Sequence, residues 1–149
     1  MSYKIPILAS SIIFFFDRLT KYYILHMHLP QWIINRFISI RPIFNRGISW
    51  GIFHSTNNCI FIIVSSAIAL ITIMLLFYTY WRWRQGFYIG GECLVLAGSF
   101  SNIMDRFMYQ GVIDFISLSI NTWSWPIFNI ADVAIVIGIG IMIMQGLKE

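Results

Sequence analysis

Charged residues are scarce in this chain. Among its 149 residues, ten are Lys or Arg and six are Asp or Glu, so that only 11% carry a charge. Soluble domains carry about 25% charged residues, and a chain with less than half of that share cannot solvate a globular surface. Disorder is excluded as well, because 58% of the residues are hydrophobic and 17% are aromatic. The composition predicts an integral membrane protein, and the length predicts a single domain over residues 1–149.

Cysteine and histidine are also few. The two cysteines and three histidines show neither the CxxC spacing of a metal or redox site nor the HExxH spacing of a zinc protease. The net charge is +4, but the basic residues are scattered and form no run of five. We therefore expect no metal site and no nucleic acid as a partner. Membrane lipid headgroups and ion pairs are the expected contacts of the basic side chains.

Four apolar stretches each approach the roughly 20 residues that cross a hydrocarbon layer. They are residues 5–25, 59–81, 87–107 and 127–146. The segment 26–58 contains prolines and short alternating apolar stretches, which predict strands lying on the membrane surface. The expected fold class is therefore an all-α membrane protein with four transmembrane helices and a small β-rich cradle between helices 1 and 2. A second segment outside the membrane, residues 108–126, joins helices 3 and 4.

The distribution of positive charge predicts the orientation. An even number of spans puts both termini on one side, together with the short link that contains Arg82 and Arg84. Positive charge per residue is denser on this side, and Trp81 and Trp83 mark a membrane interface there. We therefore expect both termini in the cytoplasm and the two long segments, 26–58 and 108–126, outside it.

Four of the six acidic residues fall in one layer near the outer face under this orientation. They are Asp17, Asp105, Asp114 and Asp132. A charged aspartate at the centre of a membrane helix costs about 2.5–3.5 kcal/mol on insertion scales, and less toward the interface. Four such residues scattered by accident would be hard to tolerate, so the layer predicts a shared polar pocket.

Two of these aspartates have polar neighbours in sequence that predict structural roles. Asp17 precedes Lys21 by four residues, the favourable order for an ion pair along a helix. Asp105 adjoins Arg106, and Asn102 lies one helical turn earlier. We expect a supporting hydrogen-bond role, and not a chemical one, for Asp105, Arg106 and Asn102.

Asp114 and Asp132 lack such neighbours, since neither has a basic residue within four positions. Unneutralised carboxylates in a water-poor layer either take up protons or share one between them. Asn129, three residues before Asp132, is placed to donate a hydrogen bond. The pattern alone leaves two interpretations open, a catalytic pair of acids and a set of structural acids.

Five short segments of the chain share a further pattern. They are residues 17–21 (DRLTK), 44–51 (FNRGISWG), 98–106 (GSFSNIMDR), 111–115 (GVIDF) and 128–132 (FNIAD). In order and with similar spacing, they resemble the signature blocks of the lipoprotein signal peptidase (signal peptidase II) family. Each block alone is a weak match. Together they extend over nearly the whole chain, and the chain therefore resembles this family strongly.

The resemblance implies an aspartyl endopeptidase of the bacterial cytoplasmic (inner) membrane. Such an enzyme removes the signal peptide from diacylglyceryl-modified prolipoproteins by cutting just before the lipidated cysteine, with its site near the extracytoplasmic face. Asp114 and Asp132 match the family's catalytic pair. The implied chemistry, attack by a water molecule, requires neither a metal nor an organic cofactor. We expect the chain to act as a monomer on its prolipoprotein substrate.

Further positions match the family's blocks. The residues that support the site or position substrate are Asn45, Gly47, Asn102, Asp105, Arg106 and Asn129, and the structural pair is Asp17 and Lys21. Gly47 and Gly51 match glycines that permit close backbone approach. Two residues depart from the family's usual pattern: Ser101 stands where glycine is usual and Ser49 where alanine is common. Both serines are small, so we expect these two differences to affect the tightness of packing more than catalysis.

Three other functions fit single features of the sequence. Residues 47–51 match the G-x-S-x-G pattern of a serine hydrolase, but no histidine follows His54 to complete a triad. A proton-coupled transporter also needs acids in the membrane, but the inner half of the spans offers no continuous relay. A non-catalytic assembly factor would tolerate Asp114→Asn and Asp132→Asn, whereas a peptidase would not.

Overall fold

A computed structural model describes residues 3–27, 31–48, 53 and 55–147. Its elements are the helices α1 (Lys4–His26), α2 (Asn58–Arg84), α3 (Gly90–Tyr109) and α4 (Ile130–Gly146), and the strands β1 (Trp32–Ile33), β2 (Ile38–Asn45), β3 (Val112–Ile120) and β4 (Trp123–Ser124). The first two strands lie between α1 and α2, and the other two lie between α3 and α4. The expectation of four helices with a small sheet is confirmed.

The helices coincide closely with the four apolar stretches. The largest differences are three residues: α2 continues to Arg84 instead of ending at residue 81, and α3 and α4 begin at Gly90 and Ile130 instead of residues 87 and 127. Within the described residues, α2 is the one helix that is both long and apolar enough by itself to cross a membrane. The ionisable residues of α1 and α3, and the 17-residue length of α4, distinguish the other three from it.

The strands form one antiparallel sheet in the order β1-β2-β3-β4. The predicted cradle between helices 1 and 2 is therefore only half of the sheet, and the prediction needs correcting. The other half comes from the segment after α3, where Ile116, Leu118 and Ile120 alternate with serines in β3. The β2–β3 pairing places Ile43 opposite Asp114 and Asn45 opposite Val112. It joins the two segments outside the helices into one structure.

The side chains that are most completely buried are mainly polar. The largest are Lys21, Ile113, Glu92, Asn129, Asp17, Asp105, Asp114 and Ser101. Large apolar side chains, in contrast, cover the outside of the helices, as at Phe15, Ile63 and Phe77, which are 68–70% exposed. A soluble protein buries its apolar residues and rarely exposes large apolar patches. The inverted pattern is that of a protein whose helices face lipid.

Helix α3 is central, because it packs against α1, α2 and α4. Its contact with α4 is close because glycines face each other across it. A Cβ atom on Gly138 would lie 2.6 Å from the carbonyl oxygen of Gly91 and 2.7 Å from a methyl group of Val95. A Cβ atom on Gly140, two residues further along α4, would meet no atom within 4 Å. Backbones of membrane helices approach closely at such small residues.

This difference predicts opposite effects of one substitution at two neighbouring glycines. Gly138→Ala should destabilise the protein by about 1–3 kcal/mol, because the added methyl group overpacks the α3–α4 contact. Gly140→Ala should be neutral or stabilising by up to about 1 kcal/mol, because alanine favours the helix and has space. Unfolding of the two purified variants in detergent measures both effects. Equal stability of the two variants would contradict the packing described here.

Candidate active site

A cavity of about 480 Å³ opens between α2, α4 and the sheet. One part of its wall is apolar, with Ile68 from α2 and Val133, Val136 and Ile137 from α4. Its polar residues are Asn45, Ser99, Asn102, Arg106, Asp114 and Asp132. The cavity therefore joins a surface suited to an apolar ligand to two carboxyl groups.

Asp114 reaches the cavity from β3, and its side chain is hydrogen-bonded at both oxygens. The Nδ2 group of Asn129 donates to Asp114 Oδ1 at 2.7 Å, and the Nδ2 group of Asn45 donates to Asp114 Oδ2 at 3.0 Å. Only 1% of the residue is exposed. Its position follows from the sheet, because β2 carries Asn45 alongside β3.

Asp132 lies in the first turn of α4 and helps to cap that helix. The backbone N–H of Asp132 donates to Asn129 Oδ1 at 2.9 Å, and the backbone N–H of Asn129 donates to Asp132 Oδ2 at 3.2 Å. Such a reciprocal capping box satisfies backbone donors that a helix start leaves free. The other carboxyl oxygen, Oδ1, accepts a hydrogen bond of 2.8 Å from the Nδ2 group of Asn102.

Two side-chain amides connect the two aspartates. Asn129 donates to Asp114 and also, at 3.2 Å, to Asn102 Oδ1, while Asn102 donates to Asp132. The carboxyl groups are thus linked through amides. Every one of their four oxygens accepts a hydrogen bond.

The surroundings of Asp114 favour its protonated form. Burial, and secondly the charge of Asp132, raise the pKa of Asp114 to about 7. The hydrogen bonds from Asn45 and Asn129 and the charge of Lys21 act in the opposite direction. Near neutral pH this carboxyl group can therefore either hold or release a proton.

Behind the cavity, Lys21 is fully buried and holds three acceptors. Its Nζ atom lies 2.8 Å from Asp17 Oδ2, from Asp105 Oδ2 and from Asn102 Oδ1. The contact with Asn102 orients that amide, because an oxygen that faces Lys21 leaves the NH₂ group to face Asp132. The buried cation thus fixes a donor in the cavity while it neutralises two carboxylates.

Asp17 ties α1 to the start of α4. Its Oδ1 atom accepts a hydrogen bond of 2.9 Å from the backbone N–H of Ala131, one of the free donors of the first turn of α4. Its Oδ2 atom accepts a hydrogen bond of 2.6 Å from the hydroxyl group of Ser101. Ser101 is completely buried, so the departure from glycine at this position is used in the packing. The other departure, Ser49, lies outside the described residues.

Arg106 has hydrogen-bond partners that differ from those of Asp105. Its guanidinium donates to the carbonyl oxygens of Gly47 and Arg46 and to Ser65 Oγ. The partners of Asp105 are instead Lys21 and Arg18 of α1. Asp105 and Arg106 have different partners, because adjacent residues on a helix point about 100° apart. Asp105 faces α1, and Arg106 faces α2.

Comparison with known proteins identifies the family. A family model described as signal peptidase (SPase) II matches residues 9–148. The chain belongs to the signal peptidase II family. The resemblance of the five sequence blocks is thereby confirmed, and family membership makes the chain a peptidase of the membrane.

Curated relatives in this family carry the name lipoprotein signal peptidase. The protein of Thermodesulfovibrio yellowstonii is 36% identical over 140 residues, which cover 93% of this chain and 91% of that protein. The protein of Syntrophotalea carbinolica is 30% identical over 156 aligned positions, which cover 99% of this chain and 93% of that protein.

Solved structures of bacterial membrane enzymes have a similar fold. One matches with a TM-score of 0.78 at 29% identity, covering 97% of this chain and 88% of its own. A second matches with a TM-score of 0.76 at 28% identity, covering 98% of this chain and 94% of its own. The helices and the sheet together therefore form a known membrane-enzyme architecture.

Most of the site residues matched to the signal peptidase II blocks converge on the cavity. Those that line it are Asn45, Gly47, Asn102, Arg106, Asp114 and Asp132. Asn129 links two of them, and Asp17, Lys21 and Asp105 lie behind. Gly51 lies outside the described residues. Among the residues that are described, no group of three or more His, Cys, Asp or Glu side chains is arranged to hold a metal ion.

Sequence reasoning missed two residues of this region. Arg18 contacts Asp105 and also donates to the carbonyl oxygen of Ser101 at 3.3 Å. Ser65 of α2 accepts a hydrogen bond from Arg106. Both contacts join residues more than 40 positions apart, and no local spacing indicates them.

Replacing the buried lysine should unfold the site. Lys21→Met leaves Asp17 without its cation and Asp105 with Arg18 alone, both in a completely buried place, and should cost about 3–5 kcal/mol of unfolding free energy. Lys4→Met, the same substitution at an exposed position of α1, should change stability by no more than about 0.5 kcal/mol. Denaturant unfolding in detergent measures both values. A Lys21 variant as stable as the Lys4 variant would exclude the proposed importance of the buried cation.

Proposed function

We propose that this chain is a membrane aspartyl endopeptidase that removes the signal peptide from diacylglyceryl-modified prolipoproteins. It cuts just before the lipidated cysteine, by attack of a water molecule assisted by Asp114 and Asp132. The observation that carries the proposal is the pair of carboxyl groups, Asp114 buried and Asp132 partly buried, at the polar part of an open, partly apolar cavity. The names of the curated relatives support the substrate class.

The chemistry proposed for the pair requires a single proton. One carboxylate, in its ionised form, takes a proton from the attacking water, and the protonated partner donates a hydrogen bond to the scissile carbonyl oxygen. The raised pKa of Asp114 supports such sharing near neutral pH. Because the two groups interact, the proton belongs to the pair and not to either residue. The mechanism needs no metal and no organic cofactor.

The basic side chains near Asp114 and Asp132, those of Lys21 and Arg106, bond to other groups. This supports a catalytic rather than a structural role for the two aspartates. Lys21 bonds to Asp17, Asp105 and the Asn102 oxygen. Arg106 donates to two backbone carbonyl groups and a serine hydroxyl. The hydrogen bonds that reach Asp114 and Asp132 come from neutral groups, the amides of asparagine side chains and one backbone N–H. Neutral donors orient the two carboxyl groups without requiring both of them to be ionised.

The apolar wall of the cavity fits the lipid part of this substrate. Ile68 of α2 faces Val133, Val136 and Ile137 of α4 across the cavity. Each CH₂ group of an acyl chain that leaves water for such a surface contributes about 0.8 kcal/mol. We propose that the diacylglyceryl chains lie here and bring the peptide bond beside them to the carboxyl groups.

The proposed setting is the cytoplasmic (inner) membrane of a bacterium. All four helices span it, both termini are cytoplasmic, and the sheet and the site lie near the extracytoplasmic face. The exposed apolar surface of the helices supports this placement. We propose that a single copy of the chain is active.

Replacing either carboxyl group by an amide should abolish cleavage. Asp114→Asn and Asp132→Asn keep the shape of the side chain and remove its ability to exchange a proton, so we expect a loss of at least about 100-fold in kcat. The assay follows cleavage of a purified diacylglyceryl prolipoprotein in detergent, with unfolding curves to show that both variants fold. Full activity in either folded variant would refute the pair, and inhibition by a chelator would refute the metal-free chemistry. A wild-type protein that leaves the prolipoprotein uncut would instead favour a transporter or an assembly factor.

Removing the amide of Asn45 should move the alkaline limb of the pH–activity profile. The hydrogen bond from Asn45 favours ionised Asp114, so Asn45→Ala should raise the pKa of Asp114 further. The pair then keeps its proton to a higher pH, and the fall of kcat on the alkaline side should shift upward by about one pH unit. Asn35→Ala, in the turn between β1 and β2, serves as the control and should leave the limb in place. A shift to lower pH would contradict the assignment.

A further inference from the structure

We infer that Phe61 of α2 is a positioning residue for the reaction, an inference that rests on the proposed function. Its ring holds the guanidinium groups of Arg46 and Arg106. By holding these two groups, Phe61 fixes the segment that contains Asn45, so that the Asn45 side chain reaches Asp114. Phe61 itself touches neither carboxyl group of the pair and acts through its neighbours.

Both guanidinium groups lie over the same ring. The Cζ atom of Arg46 is 4.8 Å from the ring centroid of Phe61, and that of Arg106 is 5.7 Å away. Both distances fall within the roughly 6 Å at which a cation is attracted to an aromatic face. Because the two cations repel each other, their shared attraction to one ring helps to keep them close together. Apolar side chains without a ring cannot supply that attraction.

Further contacts of the two arginines are with the same stretch of α2. Arg46 donates through Nη2 to Asn58 Oδ1 at 2.7 Å, and Arg106 donates through Nη1 to Ser65 Oγ at 3.3 Å. Phe61 lies between these two acceptors in sequence, one helical turn from each. Asn58, Phe61 and Ser65, at the start of α2, thus form a platform that contacts both cations. Through Arg106, which lines the cavity, this platform connects α2 to the site.

From the platform the link continues through backbone atoms. Arg106 is only 6% exposed and donates to the carbonyl oxygens of Arg46 and Gly47. The backbone N–H of Gly47 in turn donates to Asn45 Oδ1 at 2.9 Å. An Asn45 oxygen that faces Gly47 leaves the Nδ2 group to face Asp114, to which it donates at 3.0 Å. The orientation of one amide in the site therefore depends on where Arg106 is held.

Releasing Arg106 would also change the charge around the pair. Its guanidinium is within electrostatic reach of Asp114, Asp132 and Asp105. With the ring removed, fewer partners would hold the guanidinium against the attraction of these carboxylates. A cation beside the pair would remove the need for the shared proton on which the proposed chemistry depends. Phe61 therefore keeps a necessary cation near the site but away from the carboxyl groups.

The test compares three variants by hydrogen exchange and by cleavage. Phe61→Leu keeps an apolar side chain but removes the ring, Phe61→Tyr keeps the ring, and Phe77→Leu makes the same change at a position of α2 that is 68% exposed. Backbone exchange of residues 44–48 is measured in detergent by mass spectrometry. Cleavage of a diacylglyceryl prolipoprotein gives kcat and KM.

In Phe61→Leu we expect exchange of residues 44–48 to rise, and kcat to fall, by roughly 5- to 30-fold each, with KM changed less than kcat. Phe61→Tyr and Phe77→Leu should stay within about twofold of the wild-type values for both measurements. Faster exchange with unchanged kcat would overturn the positioning role, and so would wild-type exchange in Phe61→Leu. A tyrosine variant as impaired as the leucine variant would also overturn it. If the wild-type protein fails to cleave, the proposed function fails, and the exchange result alone decides whether Phe61 holds the segment.

Discussion

The structure depends first on one buried ammonium group. Lys21 lies in a completely enclosed place and bonds to Asp17, Asp105 and Asn102. In a low-dielectric interior, an unpaired charge is so unfavourable that these groups are stable only together. Since Asp17 also binds the backbone of Ala131, this cluster joins α1, α3 and α4. It also aims the Asn102 amide at Asp132, so the interaction that holds the helices together is the one that arranges the cavity.

Much of the fold follows from sequence, because long apolar runs have few alternatives to helices. All four helices, the surface strands after α1 and the i,i+4 pairing of Asp17 with Lys21 are confirmed. The strand β3 was missed, although Ile116 and Leu118 alternate with serines. It lies in residues 108–126, which the sequence predicts only as a connection between two spans. Its partner, β2, is remote in the chain, and a strand pairing of that kind has no local signal.

Side-chain partners across the helices were harder to predict than the residues themselves. The residues around the cavity were found through short motifs, but the motifs do not specify which cation meets which carboxylate. Asp105 is adjacent to Arg106 in the chain, yet one of its two cationic partners is Arg18, 87 positions away. The direction of each side chain depends on how α3 is rotated between α1 and α2. That rotation is set by packing that involves the whole chain.

The hydrogen bonds around the cavity connect residues far apart in the chain. Asp17 meets Ala131 at a separation of 114 residues, and Asn45 meets Asp114 at a separation of 69. During synthesis, the first helices are made long before the last one exists. The carboxyl pair is therefore incomplete until α4 has been made and docked, and a half-finished chain has no assembled site. In the proposed peptidase, completion of the fold and onset of activity are the same event.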